Sequence, residues 1–74
     1  MEQTLRNIVA KIAEIPADFD ADASFREKLG VDSVRALEIV FEIEKTLGIV
    51  VPEDGYAKVK CLNHLVTLVQ SIKK

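Results

Sequence analysis

The chain is short of the residues that usually mark an enzyme or a metal protein. It has one cysteine, Cys61, and one histidine, His64. A lone thiol closes no internal disulfide, and these two residues fall short of the four ligands of a structural zinc site. With no tryptophan, one tyrosine and three phenylalanines, a core must be built from Leu, Ile and Val, which favours helices with aliphatic stripes. Apolar residues nowhere continue far enough to span a bilayer, and the first residues lack a basic stretch followed by an apolar run. A soluble, unexported protein of a reducing cytoplasm is the expectation. Twelve acidic against ten basic residues give a formal charge of −2, with no basic stripe, which argues against a nucleic-acid partner.

The 74 residues have room for one domain, 1–74. A chain of this size buries only about 60% of the surface its unfolded form exposes, and its core contributes roughly 3 to 5 kcal/mol net. A hydrophobic fraction of 49% is sufficient for such a core.

Leu5, Ile8, Val9, Ile12 and Ile15 follow the three-and-four spacing of one helical face, and Pro16 is the expected stop. A long connection runs from Pro16 to Val31, with Phe19, Phe25 and Leu29 as its anchors. Ser24 and Glu27 have capping-box spacing and Gly30 can close the turn, so Phe25 to Leu29 is expected to be a short helical piece. A second main helix starts at Asp32 or Ser33 and ends at Leu47, with Gly48 as a left-handed cap. Its apolar positions are Val34, Leu37, Val40, Ile43 and Leu47, widened by Ile39 and Phe41. Ile49 to Val51 has no β-rich partner segment and reads as loop. Pro52, Glu53 and Asp54 open a short third helix to about Val59, weakened by Gly55. The last helix carries Leu62, Leu65, Val66, Val69 and Ile72 on one face, with Lys73 and Lys74 at its negative end. The pattern predicts an all-α four-helix bundle of three longer helices and one short one, with a long loop between the first two. No apolar stripe is left over beyond the core, so a monomer is expected, with a transient partner surface along the second helix.

Nothing in the sequence associates His64 with a serine and an orienting carboxylate, so nucleophilic catalysis has no candidate machinery. His64 reads as a surface or boundary residue, and Cys61 has no assigned role. Asp18, Asp20 and Asp22 imitate the opening of a calcium loop. Counted from Asp18, however, Ala23 stands where the turn needs glycine and Leu29 where it needs a bidentate glutamate. The acids are expected to be a solvated loop, with no metal. Ser33 is different, because it lies where a glycine-containing loop enters a strongly apolar helix. There, unpaired N–H groups and the positive dipole end favour an attached phosphate. From position alone, Asp32 or Ser33 could equally be an ordinary helix cap.

Leu29, Gly30, Val31, Asp32, Ser33 and Val34 resemble the attachment motif of the acyl carrier protein family, usually Leu, Gly, any residue, Asp, Ser, Leu. Ser24 and Phe25 upstream, Glu38 past the serine, and Val51, Pro52 and Glu53 at the next helix are similar to the family in order and spacing. The likeness spans essentially the whole chain.

The resemblance implies a carrier and not an enzyme. A phosphopantetheinyl transferase, using coenzyme A and magnesium, would join 4'-phosphopantetheine to Ser33. The terminal thiol would hold acyl groups as thioesters for acyl-transferring, condensing or ligase enzymes of fatty-acid, lipid or polyketide biosynthesis. Asp32, Val34, Arg35 and Glu38 match recognition positions, with Val34 expected to pack under or beside the arm. Val40, Ile43, Val51, Tyr56, Val59 and Leu65 correspond to the family's acyl pocket, in which Tyr56 looks bulky. Two departures point to a specialised pathway: Arg35 stands where typical fatty-acid carriers have an acid or polar residue, and the net charge is modest. An aminoacyl carrier, D-alanyl or peptidyl, is the nearest alternative. A helical interaction module whose serine is only a cap is the alternative from another class.

Overall fold

The computed structural model describes residues 2–73 and contains four helices: α1 (Glu2–Ala13), α2 (Ser33–Leu47), α3 (Glu53–Tyr56) and α4 (Leu62–Lys73). Lys74, expected at the end of α4, lies outside the described residues, as does the side chain of Lys73.

α1 buries Leu5, Ile8 and Val9 of the face that the sequence periodicity marks, with Ala10 and Ala13 beside them, while Ile12 of that face is only half-buried. It packs against both α2 and α4. The helix ends at Ala13, three residues before Pro16, because Glu14 takes a left-handed conformation (φ 59°). The Ile15 N–H then bonds the Ala10 carbonyl at 3.0 Å, the six-to-one bond of a Schellman end. Ile15, counted on the helical face by spacing, instead packs against the core from just beyond the helix.

The long connection is tied down at several points. Arg6 donates from Nη1 to the carbonyls of Ala17, at 2.7 Å, and Phe19, while its guanidinium lies 4.7 Å from the Phe19 ring centre. Phe25 and Val31 are buried in the core. The Phe25 N–H donates to the Lys60 carbonyl at 2.8 Å, and the Ala21 carbonyl accepts from the Asn63 N–H at 3.1 Å. That second bond gives an N-terminal amide of α4 the acceptor that the helix itself lacks.

Phe25 to Leu29 forms a turn and not the expected helical piece. The Ser24 carbonyl accepts from the amides of Lys28 and Leu29, and Ser24 Oγ accepts from the Glu27 N–H at 3.2 Å. One turn fits between Ser24 and Gly30 (φ 70°), too little chain to offset the cost of nucleating a helix. The acids before it serve the loop: Asp20 Oδ1 accepts from the Asp22 N–H, and Asp22 Oδ1 accepts from Asn63 Nδ2. Among the described residues no three His, Cys, Asp or Glu side chains are grouped to hold a metal.

α2 ends as expected at Gly48 (φ 65°), whose N–H bonds the Glu44 carbonyl. α3 is shorter than expected, closing at Tyr56 through tight bonds from Lys58 to Gly55 and from Val59 to Tyr56. Gly55 faces α4, where a Cβ would meet Leu68 Cδ1 at 2.9 Å and oblige the end of that side chain to shift. Leu62, Leu65 and Val69 of α4 are fully buried beside Ile39 and Ile43 of α2 and Leu5 and Val9 of α1.

Candidate functional site

The chemistry of the α2 start follows from which residue caps it. Asp32 is the N-cap, in extended conformation, and its Oδ1 accepts the Arg35 N–H at 2.9 Å. Its carbonyl takes the first helical bond, from Ala36, at 2.9 Å. Ser33 is therefore the first helical residue, exposed, and its hydroxyl makes no hydrogen bond among the described residues. The cap is supplied next door, and the serine is left without a structural task. Free N–H groups in the first turn and the positive dipole end make the spot favourable for a phosphate ester.

Arg35, two residues on, is partly exposed and tethered to α1. Its Nη1 donates to the Ile12 carbonyl at 3.1 Å, and Nη2 lies 3.3 Å from Glu14 Oε2. It closes the C-terminal end of α1, where carbonyls lack helical partners and cations are favoured. The sequence gives no sign of this pairing, because Ile12 and Arg35 meet only after the long connection folds back.

Val34, expected beside or under an arm, points outward at 67% exposure, with Leu37 at 54% and Phe41 at 59%. The three share one face of α2 by their three-and-four spacing. Contrary to expectation, an apolar stripe is thus left uncovered. Glu38 is also exposed.

Two clefts flank Ser33. One, of about 510 Å³, lies between α2 and α3 and is lined by Leu37, Val40, Phe41, Val51 and Tyr56 among others. The second, of about 330 Å³, lies toward the long connection and includes Arg26, Glu27, Val59 and Lys60. Of the six residues matched to an acyl pocket, Val40, Val51 and Tyr56 line the apolar cleft, and Val59 lines the charged one. Ile43 and Leu65 line neither; both are fully buried in the core. Leu37 and Phe41 are lining residues that the sequence did not single out. Burial raises the Tyr56 phenol above its ordinary value of 10.0, so the ring is neutral at physiological pH.

His64 and Cys61 have structural positions. His64 Nδ1 accepts the Lys60 N–H at 3.2 Å ahead of α4, and Cys61 is a buried free thiol.

Comparison with known proteins agrees with this geometry. A family model described as a phosphopantetheine attachment site matches residues 3–69. The chain is 35% identical to an acyl carrier protein of Rickettsia bellii, over 90% of this chain and 87% of that protein. It is 35% identical to acyl carrier protein 3 of Ralstonia nicotianae, over 90% and 78% of the two chains. It is 28% identical to a meromycolate extension acyl carrier protein of Mycobacterium leprae, over 100% and 71%. A match of this extent, on a four-helix chain with a serine freed at the start of α2, places the protein in the acyl carrier protein family, whose members are carriers and not enzymes and hold 4'-phosphopantetheine covalently.

Proposed function

We propose that this chain carries acyl intermediates on a prosthetic group attached to Ser33 and delivers them to the enzymes of a dedicated lipid, fatty-acid or polyketide pathway. The observation that carries this reading is the division of labour at the start of α2. Asp32 caps the helix, so the Ser33 hydroxyl stays exposed and uncommitted. The residues fit the family's group: a phosphodiester on Ser33 would face first-turn amides, with open clefts to either side. When bound, 4'-phosphopantetheine supplies a terminal thiol on which acyl groups travel as thioesters.

The chain's own residues hold the attachment point still, shield the cargo and present the carrier to its partners. The Asp32 cap and the Arg35 bond to α1 fix the first turn of α2. The apolar cleft beside it removes methylenes from water. Fixed attachment raises the cargo's local concentration at a docked enzyme.

Any enzyme acting at Ser33 approaches over Val34, Leu37 and Phe41, and this stripe, with Glu38 at its edge, is the proposed docking face. Its partners are the phosphopantetheinyl transferase and the acyl-handling enzymes of one pathway, with the carrier acting as a monomer. The modest formal charge of −2 supports a specialised partner set, because charge mainly steers encounter and selects partners. No helix among the described residues is long and apolar enough to cross a membrane.

The experiment is intact mass after incubation with coenzyme A, magnesium and a broad-specificity transferase. The wild type is expected to gain one phosphopantetheinyl group and Ser33→Ala none. No gain in the wild type would leave an uncharged helical adaptor. Mass spectrometry of the thioester formed in cells identifies the cargo, and an amino acid there would replace the acyl reading.

A further inference from the structure

Two clefts meet at Ser33, and Tyr56 stands between them. Ser33, Ala36 and Tyr56 line both. Beyond Tyr56 on one side lie Arg26, Glu27 and Lys60; on the other lie Leu37, Val40 and Val51. The Tyr56 ring packs against the core. At the far end of the apolar cleft, Glu44 is held in place by accepting the Val51 N–H at 2.8 Å. Behind the cleft, Ile43 and Leu65 are fully buried, and a close-packed interior has no room for further carbons.

Taking Ser33 as the attachment point proposed above, we infer that Tyr56 sets the length of acyl chain that this protein shelters. A chain entering the apolar cleft can leave it in three directions. Toward α4 it meets the packed core, along α2 it meets the Glu44 carboxylate, and toward the long connection it meets the Tyr56 ring with charged side chains behind it. Of these barriers the ring is the one made by a single side chain at the shared mouth of both clefts. A short chain lies along Leu37, Val40 and Val51. A longer one leaves its terminal carbons in water. Removing the ring joins the two clefts and uncovers the core behind it.

The test loads the full chain with butyryl-, octanoyl- or dodecanoyl-phosphopantetheine, using a transferase and the matching acyl-coenzyme A, and confirms each product by intact mass. The thermal midpoint of each acyl form is then read against the same variant carrying the unacylated group. Each methylene sheltered in the folded state alone raises the midpoint by up to about 3 to 6 °C. For the wild type the midpoint is expected to rise from butyryl to octanoyl and level off by dodecanoyl. In Tyr56→Ala it continues to rise through dodecanoyl. Tyr56→Phe, which keeps the ring, follows the wild type. Tyr56→Leu gives the same contrast if the alanine variant does not fold. The inference is overturned if wild type, Ala and Leu variants share one chain-length profile, or if the Phe variant behaves like the Ala variant. Failure of the wild type to gain mass at loading is a separate result, and it refutes the Ser33 attachment itself.

Discussion

Replacing Arg35 by methionine keeps the apolar stem of the side chain and removes its guanidinium. The structure assigns that group two tasks, a bond to the Ile12 carbonyl and an ion pair with Glu14. A hydrogen bond from a charged donor contributes about 1.5 to 3 kcal/mol when well buried. Here the Arg35 side chain is 37% exposed and that of Glu14 77%, so solvent screening cuts the carbonyl bond to about 1 to 2 kcal/mol and leaves the ion pair below about 0.5. Arg35→Met should therefore lower the thermal midpoint by about 4 to 16 °C, most of it retained in high salt, while Glu14→Gln changes it little. Urea melts of the two single variants and the double variant measure the coupling, which should be below about 0.5 kcal/mol. At a temperature where both proteins are folded, the rate at which a transferase modifies Ser33 should be nearly the same with and without the guanidinium. A normal midpoint combined with a large loss of modification would refute this reasoning and return Arg35 to the role of a recognition charge.

Three further outcomes follow from the same geometry. Asp32→Ala removes the side-chain cap of α2 and should cost about 1 kcal/mol in chemical denaturation, with Asp32→Asn recovering most of it; equal losses in both variants would count against the cap. Leu65→Ala opens a cavity in the fully buried centre at about 2 to 5 kcal/mol, comparable to the whole net stability of a chain this size, so circular dichroism should show a largely unfolded protein at 37 °C. Because burial raises the folded phenol of Tyr56 above the unfolded value of 10.0, its stabilising contribution is complete below pH 10 and declines as pH rises from there through the folded value. Tyr56→Phe should flatten that alkaline decline, and an unchanged slope would remove the phenol from consideration.

The helices that hold the site were legible because their determinants are local. The stripe from Leu5 through Val9, the Leu62 to Ile72 stripe and Gly48 after Leu47 all act within a few residues of one another. The attachment motif was legible for the same reason, being contiguous. What the sequence hid depends on distant parts of the chain meeting. Arg35 reads as a surface charge until the C-terminal end of α1 is brought against it. Val34, Leu37 and Phe41 read as core because periodicity reports a face of α2 and not what covers it; packing against α1 and the shared core buries Ile39 and Ile43 and leaves the outer stripe open. Ile43 and Leu65, matched to a pocket by analogy, are fully buried core residues that line neither cleft. The early stop of α1 depends on Glu14 adopting a left-handed conformation, which is uncommon for this residue type.

The claim on which the account rests is that the hydroxyl of Ser33 is where the prosthetic group is joined. Cleavage after Lys28 and Arg35 releases the peptide Leu29–Arg35, in which Ser33 is the sole hydroxyl-bearing residue. After treatment with coenzyme A and a transferase, peptide mapping should find the added phosphopantetheinyl mass on this peptide alone. An unshifted Leu29–Arg35 peptide from protein that has gained the group elsewhere, or has gained none, would contradict it.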